Sequence, residues 1–305
     1  MILTNKLSLP QPFVDAVSSD YQYQDKRYSV TSILKGTREA ILQRRHDSEI
    51  TSDVADMVWA IFGTAVHSIL ENGEESESQI KESKLVVDLP NGYQLSGIFD
   101  LYDDATGTVT DYKTASCWKV KFGCWNDWKP KADSEEFEDW RRQTLIYCWM
   151  LRRIGFDAKR GEIVALLKDH SKTKAKINEH PPLPVWQIGW DFAEEDFAWA
   201  EQFIADKFAE IERCEQLPDE ELPMCTEKER WTRGSKYAVM KKGVKRAKKL
   251  FESEEAAIAH AEQLSATEKG EFYVEHRPGT DPKCMDYCSA CEFCTYWQQT
   301  YGKEA

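Results

Sequence analysis

The chain has no uninterrupted apolar run of about eighteen residues, so no membrane-crossing helix is expected. Its first residues, MILTNKLSLPQPFVDAV, lack a basic segment followed by a long apolar one, and no signal peptide is expected. The nine cysteines are therefore expected as reduced thiols or metal ligands rather than disulfides, in a cytoplasmic setting. Positive charge is in deficit: 40 Lys and Arg stand against 53 Asp and Glu, a net charge of −13. That balance argues against a protein that coats nucleic acid over its whole surface. Residues 1–28 carry no legible chemistry, and no helicase motif occurs, so any unwinding would fall to a partner. What is present suffices for a core: 41% of the 305 residues are hydrophobic and 12% aromatic, enough for one large domain or two small ones.

The chain is organised around Gly97–Thr114, GIFDLYDDATGTVTDYKT. It reads as two adjacent strands with a turn near Asp103–Gly107. Strand alternation puts Asp111 and Lys113 on one face, and a hairpin-like return brings Asp100 near them. Two carboxylates and a lysine at strand ends suit a hard divalent cation such as magnesium or manganese. Such sites activate water against phosphodiesters. A surface hairpin with turn acids is the plain alternative for this stretch alone.

Its neighbours extend the pattern. Gly63-Thr64-Ala65-Val66-His67 lies upstream on a helix-patterned segment, Asp53–Glu71, whose Met57, Ile61, Thr64, Ala65 and Ile69 form a stripe expected to pack. Gly63 is expected to admit a close neighbour. Glu71 is one helical turn beyond His67, placed to orient it or the backbone. Residues 72–83 read as a polar loop, with Glu82 ahead of the next strand; a solvated role is its default and a third acidic metal contact its alternative. Lys84–Leu89 and Tyr93–Leu101 read as strands around Pro90-Asn91-Gly92. Downstream, Asp133 and Glu136 suggest a capping box for a helix carrying Phe137, Trp140, Thr144, Tyr147 and Leu151 on one face. Gln143 and Tyr147 share that face, and Gly155 stops the helix. Strands are expected at Glu162–Leu167 and Val185–Trp190, then a long helix from about Glu194 to Cys214.

The ordered series GxxxH, GxxD, DxK, QxxxY resembles the RecB-like branch of the PD-(D/E)XK nuclease superfamily, which includes AddB nuclease domains, phage exonucleases and CRISPR-associated iron–sulfur exonucleases. The likeness runs from His67 to Asp169. It implies an α/β restriction-endonuclease-like core, a central mixed sheet flanked by helices, and a metal-dependent DNA exonuclease. It implies Mg²⁺ or Mn²⁺ held by His67, Asp100, Asp111 and the Tyr112 carbonyl. Asp100, Asp111, Lys113, Gln143 and Tyr147 would form the catalytic set, with Gln143 near the metal and Tyr147 near the substrate strand.

Two further features bear on DNA and on a second metal. The stretch Ser116–Pro130 reads as a loop rich in tryptophan and lysine, of which Trp118, Lys121 and Trp125 are candidates to stack bases and hold phosphates; a loop pinned to the core by its aromatics is the alternative. From Glu227 to Lys249, ten Lys or Arg face two Glu, on a ββαβ pattern. Lys236, Lys241, Lys242, Lys245 and Arg246 there are candidate phosphate contacts, or a solvated charged hairpin.

At the C-terminus, Cys284, Cys288, Cys291 and Cys294 fall within eleven residues, a thiol density that selects a soft cation. The resemblance implies a [4Fe-4S] cluster, with zinc as the alternative. The family places one ligand before the nuclease core, and this chain has no cysteine before Cys117. Cys225 with Cys284, Cys288 and Cys294 is one ligand set; the four C-terminal cysteines are the other. Cys117, Cys124, Cys148 and Cys214 read as ordinary thiols, and His170 and His180 as surface residues. Arg38, Arg44, Arg45 and His46, on an early helix capped near Ser29, are either solvated or DNA-facing.

The expected division is a nuclease core with an N-terminal helical region at residues 1–221 and a basic, cysteine-stapled appendage at 222–305. The expected substrate is DNA with linear ends or single strands, in recombination, repair or phage DNA processing. A recombinase, single-strand-binding protein or helicase is the expected kind of protein partner, in a bacterial or phage-infected host cytosol and without a membrane. The runner-up is a DNA-end-binding recombination partner with a non-catalytic nuclease-like core; the intact Asp100, Asp111 and Lys113 set argues against it.

Overall fold

Two sharp returns between residues 79 and 115 build the sheet on which the larger part of the chain packs. The computed structural model describes residues 1–18, 22–131 and 134–302. It divides into two compact units, Met1–Leu217 and Pro218–Ala305.

In chain order the first unit comprises β1 (Ile2–Thr4), α1 (Gln11–Val17), β2 (Arg27–Ser29), α2 (Val30–Ile33), α3 (Thr37–Arg45), β3 (Thr51–Asp53), α4 (Val58–Glu71), β4 (Gln79–Asp88), β5 (Gln94–Asp103), β6 (Thr108–Ala115), α5 (Cys117–Gly123), α6 (Glu138–Arg153), β7 (Arg160–Leu167), α7 (Lys172–Lys176), β8 (Val185–Asp191) and α8 (Glu194–Glu215). The main sheet is mixed and six-stranded, in the order β2-β5-β6-β7-β8 with β4 on β5. β6 and β7 run parallel, which α6 permits by crossing back over the sheet. Leu145, Ile146, Met150 and Leu151 of α6 are fully buried, each contributing about 1.5–3 kcal/mol. On one side they join residues of β5 and α8, including Phe99, Tyr102, Ile204 and Phe208.

The pairing of β5 fixes the site. β4 covers one edge of it, from Gln94 to Asp103. On the other edge β2 pairs only with Gln94–Ser96, and β6 only with Leu101–Asp103. Residues 97–100 thus have no ladder partner on that edge, and the sheet forks there.

Several local expectations change. The early helix is broken: Ser29 caps α2 through the Ser32 amide, and α3 starts anew after Gly36. Arg38 is buried. Arg44 donates to the Arg27 carbonyl (2.9 Å), Arg45 to the Glu215 carbonyl (3.0 Å), and His46 pairs with Glu49 (2.8 Å). These side chains pin the chain locally. The 72–83 loop is shorter than expected because β4 begins at Gln79. The tryptophan-rich stretch contains a helix, α5, capped by Ser116 on the Lys119 amide at 3.2 Å. His180 is buried, its Nδ1 accepting from the Ser171 amide at 3.0 Å. Asp133 lies outside the described residues; Ser134 accepts from the Glu136 amide ahead of α6.

The largest change concerns α4. Its apolar stripe was expected to pack, yet no residue of the helix is buried, and Ile69 is 72% exposed. Periodicity reports which residues share a face, not whether anything covers it. By length and composition alone Val54–Glu71 is apolar enough to cross a membrane, with mean hydropathy 1.2 over 18 residues. Asp56, His67 and Glu71 break the run, which is why the sequence shows no uninterrupted one.

The second unit holds α9 (Glu227–Arg230), β9 (Lys236–Lys241), β10 (Lys249–Phe251), α10 (Glu254–Thr267), β11 (Phe272–Arg277) and α11 (Thr295–Thr300). Its antiparallel sheet, β10-β9-β11, buries Ala238 and Val239 against Ala257 and Ala261 of α10. Ahead of the cysteines sits a buried polar hub. Asp281 accepts from Thr232, Tyr296 and Tyr301, and Arg230 Nε lies 3.4 Å away without a hydrogen bond. Burial alone would raise the Asp281 carboxyl; the three hydroxyls hold it below the ordinary range. Its stabilising contribution is complete above that range and is lost as pH falls through the lowered value. Asp281→Ala removes the acceptor of three hydroxyls and the partner of Arg230, which keeps its bond to the Cys225 carbonyl, and is expected to cost about 2–3 kcal/mol. Urea unfolding followed by Trp231 and Trp297 fluorescence checks this; an unchanged midpoint would refute the hub.

Candidate active site

At the fork, Asp100 substitutes a side chain for the missing ladder. Its Oδ2 accepts from the Tyr112 amide at 2.6 Å, tying β5 to β6 where the strands part. Its other oxygen, Oδ1, lies 3.3 Å from His67 Nδ1. Helix α4 brings His67 over the sheet. β4 brings Glu82, whose Oε1 is 3.9 Å from the same nitrogen. Among the described residues, His67, Glu82 and Asp100 are the one trio of His, Cys, Asp or Glu ligand atoms lying within 4.8 Å of one another.

One residue along from the tied amide, Asp111 and Lys113 project to the same side. Asp111 is 3% exposed. Its Oδ1 accepts from Gln143 Nε2 at 3.0 Å. Its Oδ2 is paired with Lys113 Nζ at 2.6 Å. Lys113 Nζ also donates to Gln143 Oε1 at 3.0 Å. The Gln143 amide therefore bridges the carboxylate and the ammonium, which fixes which way it faces. Gln143 reaches both because α6 crosses β6.

Burial pushes the Asp111 carboxyl up, opposed by Lys113 and reinforced by Asp100. Glu82 is also raised, first by burial and then by Asp100. His67 is raised by its hydrogen bond to Asp100. Tyr147 is driven up by burial and by Asp111. Asp100 thus raises both Glu82 and Asp111, and the three crowded carboxylates form a patch of negative potential that a divalent cation relieves. The Asp111 and Asp100 oxygens that face one another across the fork are what such an ion would use. The donor set, carboxylates and one imidazole, fits magnesium or manganese.

Gly97 has a specific role. A Cβ there would sit 2.5 Å from Tyr147 Cε1 and 3.1 Å from Val30 Cγ2. The Tyr147 ring fills the gap in the β5 edge that only a glycine leaves. Gly97→Ala is expected to cost about 1–3 kcal/mol and to lower activity by displacing Tyr147; urea denaturation with a parallel rate assay checks both. At Gly63 the close approach expected from the sequence is absent, since the nearest atom to a built Cβ is Thr114 Oγ1 at 3.8 Å.

Glu82 is the residue that the sequence reading left solvated by default. It sits inside β4, opposite Asp100, with φ +43°, a left-handed conformation rare for glutamate. The available signal was symmetry: Glu82 and Asp100 are each nine residues from Asn91 in the intervening turn. The Glu71 carbonyl accepts from Lys81 Nζ at 2.6 Å, which ties the end of α4 to β4.

The proposed DNA contacts fall into two groups. Trp118 and Trp125 are 63% and 64% exposed, with Lys121 Nζ 5.8 Å from the Trp118 ring. In the second unit much of the local positive charge is cancelled. Lys236, Lys242 and Lys248 pair with Glu252, Glu271 and Glu268, acids outside the counted stretch. Lys241 lies 5.4 Å over Phe272, and Lys245 and Arg246 occupy the exposed β9–β10 turn. None of the nine cysteines forms a disulfide. Burial, then Asp281, Cys225 and Cys294, pushes the Cys284 thiol up to about 11, which brings three candidate ligands into one electrostatic neighbourhood. Cys288, Cys291 and Cys294 are half-buried beside it.

A sequence model of the PD-(D/E)XK nuclease superfamily matches residues 73–298. No curated protein matches the chain. Similar solved structures include SSO0001, at 14% identity over 62% of this chain and 79% of that one, with a TM-score of 0.42. A phage-related exonuclease from Haemophilus somnus 129PT is 11% identical over 60% and 74% of the two chains, with a TM-score of 0.32. LHK-Exo, solved in complex with dAMP, is 17% identical over 63% and 92%, with a TM-score of 0.33.

Proposed function

The chain belongs to the PD-(D/E)XK nuclease superfamily, and from that premise we propose that it is a Mg²⁺- or Mn²⁺-dependent DNA exonuclease of the RecB-like branch. The observation that carries this reading is the pairing of buried Asp111 with Lys113, 2.6 Å apart, at the fork where Asp100, His67 and Glu82 converge. A purely structural sheet would be served as well by apolar residues there, because the desolvation of buried charges offsets most of what their pairing returns.

His67, Glu82, Asp100 and Asp111, with the Tyr112 carbonyl, would hold the divalent ion. When bound, that ion would lower the pKa of a water and offset charge gathering on the phosphate. Lys113 holds a cation where the pentavalent phosphate gains charge, and orients the attacking water. Gln143 keeps Lys113 and Asp111 in register. Tyr147, held as a neutral phenol by burial, is a donor toward the substrate strand. The water oxygen forms the new P–O bond, one bridging P–O bond breaks, and the proton lost by the water is balanced by the one taken up by the leaving alkoxide.

Cys284 with Cys225, Cys288 and Cys294, or with Cys291 in place of Cys225, would hold a [4Fe-4S] cluster or a zinc ion with a structural role. Trp118, Lys121, Trp125, Lys245 and Arg246 would contact DNA. Work on DNA ends in recombination, repair or phage DNA processing fits this chemistry, in the cytoplasm and beside a recombinase, single-strand-binding protein or helicase. The test is digestion of end-labelled linear DNA beside a closed circle, with Mg²⁺ or Mn²⁺ and with EDTA. Loss of linear DNA alone, stopped by EDTA, is expected. Cutting of the circle would make the enzyme an endonuclease, and intact DNA in every lane would overturn the reading.

A further inference from the structure

The catalytic centre uses one residue of α4, His67, and leaves the helix's apolar surface unexplained. Trp59 and Phe62 are 58% and 45% exposed and meet edge to face at 6.5 Å. The exposed Lys168, just beyond β7, puts its Nζ 3.8 Å from the Trp59 ring centroid. A second exposed pair stands on α5: Trp118 and Phe122, 63% and 48% exposed, are edge to face at 4.6 Å, with Lys121 beside them. The two pairs share an anchor. Gly63 of α4 faces Thr114 at the end of β6, the Lys168 amide donates to Ala115 at 2.9 Å, and Ser116 caps α5. Thr114 directly follows Lys113. The rings therefore begin where the catalytic strand ends, with cations among them.

We propose that α4 and α5 form the aromatic walls of a track that leads an unpaired DNA strand to the site, its bases stacking on Trp59, Phe62, Trp118 and Phe122 and its phosphates meeting Lys168 and Lys121. The proposal rests on the nuclease reading and specifies its substrate as single-stranded DNA. Exposed rings need exposed base faces, and a duplex keeps its faces stacked internally. The interleaved lysines match a phosphate backbone; a purely apolar partner would leave them without a counter-charge.

The test reads binding apart from hydrolysis: anisotropy of a labelled oligothymidine and of a duplex of equal length, in EDTA. For Trp59→Ala/Phe62→Ala the oligothymidine Kd is expected to rise on the order of tenfold or more, with the duplex Kd nearly unchanged. Trp59→Phe should retain binding and Trp59→Leu should not, which separates stacking from apolar contact. Hydrolysis of thymidine 5′-monophosphate p-nitrophenyl ester should be unaffected. Unchanged oligothymidine binding, or an equal loss on both DNA forms, overturns the track. A wild type that binds oligothymidine through these rings but hydrolyses nothing overturns the nuclease reading instead.

Discussion

Lys113→Ala is expected to lower DNA hydrolysis by about three orders of magnitude, the range seen when one preorganised charge is removed from a transition state. Lys113 Nζ lies 2.6 Å from Asp111 Oδ2 and donates to Gln143 Oε1. Losing it would take away the cation proposed to face the phosphate and would free the Gln143 amide to turn. The fold should tolerate the change. Asp111 is already pushed toward its neutral form by burial, so without Lys113 it can take up a proton instead of remaining an unpaired buried charge. The measurement is the initial rate on an end-labelled oligonucleotide, with a thermal melt of the same sample. A variant within about tenfold of wild type would remove Lys113 from the machinery and with it the proposed centre.

Much of this centre was legible because it depends on local periodicity. Asp111 and Lys113 share a face by strand alternation, and Gln143 and Tyr147 by helical spacing; both patterns survive folding unchanged. Glu82 was not legible, because its place depends on the register of a long hairpin and on a left-handed residue within a strand. The exposure of α4 was not legible either, since amphipathic spacing is the same whether or not a partner covers it. Counting charges along residues 227–249 omits Glu252, Glu268 and Glu271, which the β9–β10–α10–β11 fold returns to the same lysines. Gly97 was readable as a motif position, but the Tyr147 ring that needs it became visible only in three dimensions.

Cys284→Ser is expected to abolish metal content and to unfold much of Pro218–Ala305. Four cysteines fall within eleven residues, and Cys225 is near enough to Cys284 to perturb it; Cys284 is pushed up to about 11, and burial raises Cys291 as well. Nearby carboxylate and thiol groups raise the cost of each thiolate, and a bound cation reverses that cost. A structural metal in a small unit can contribute on the order of 10 kcal/mol at neutral pH, more than the few apolar residues buried under α10 supply. Elemental analysis and the visible spectrum of wild type read the metal directly: charge-transfer absorption marks an iron–sulfur cluster, and a colourless protein with one zinc per chain marks the alternative. Cys214→Ser, in the other unit, should keep the wild-type content. Comparing Cys225→Ser with Cys291→Ser then identifies the fourth ligand, because only the variant that removes a ligand loses the metal. Equal metal content in wild type and Cys284→Ser would show that Cys284 holds no ion, and the stability of the unit would have to come from the Asp281 hub and the apolar residues under α10.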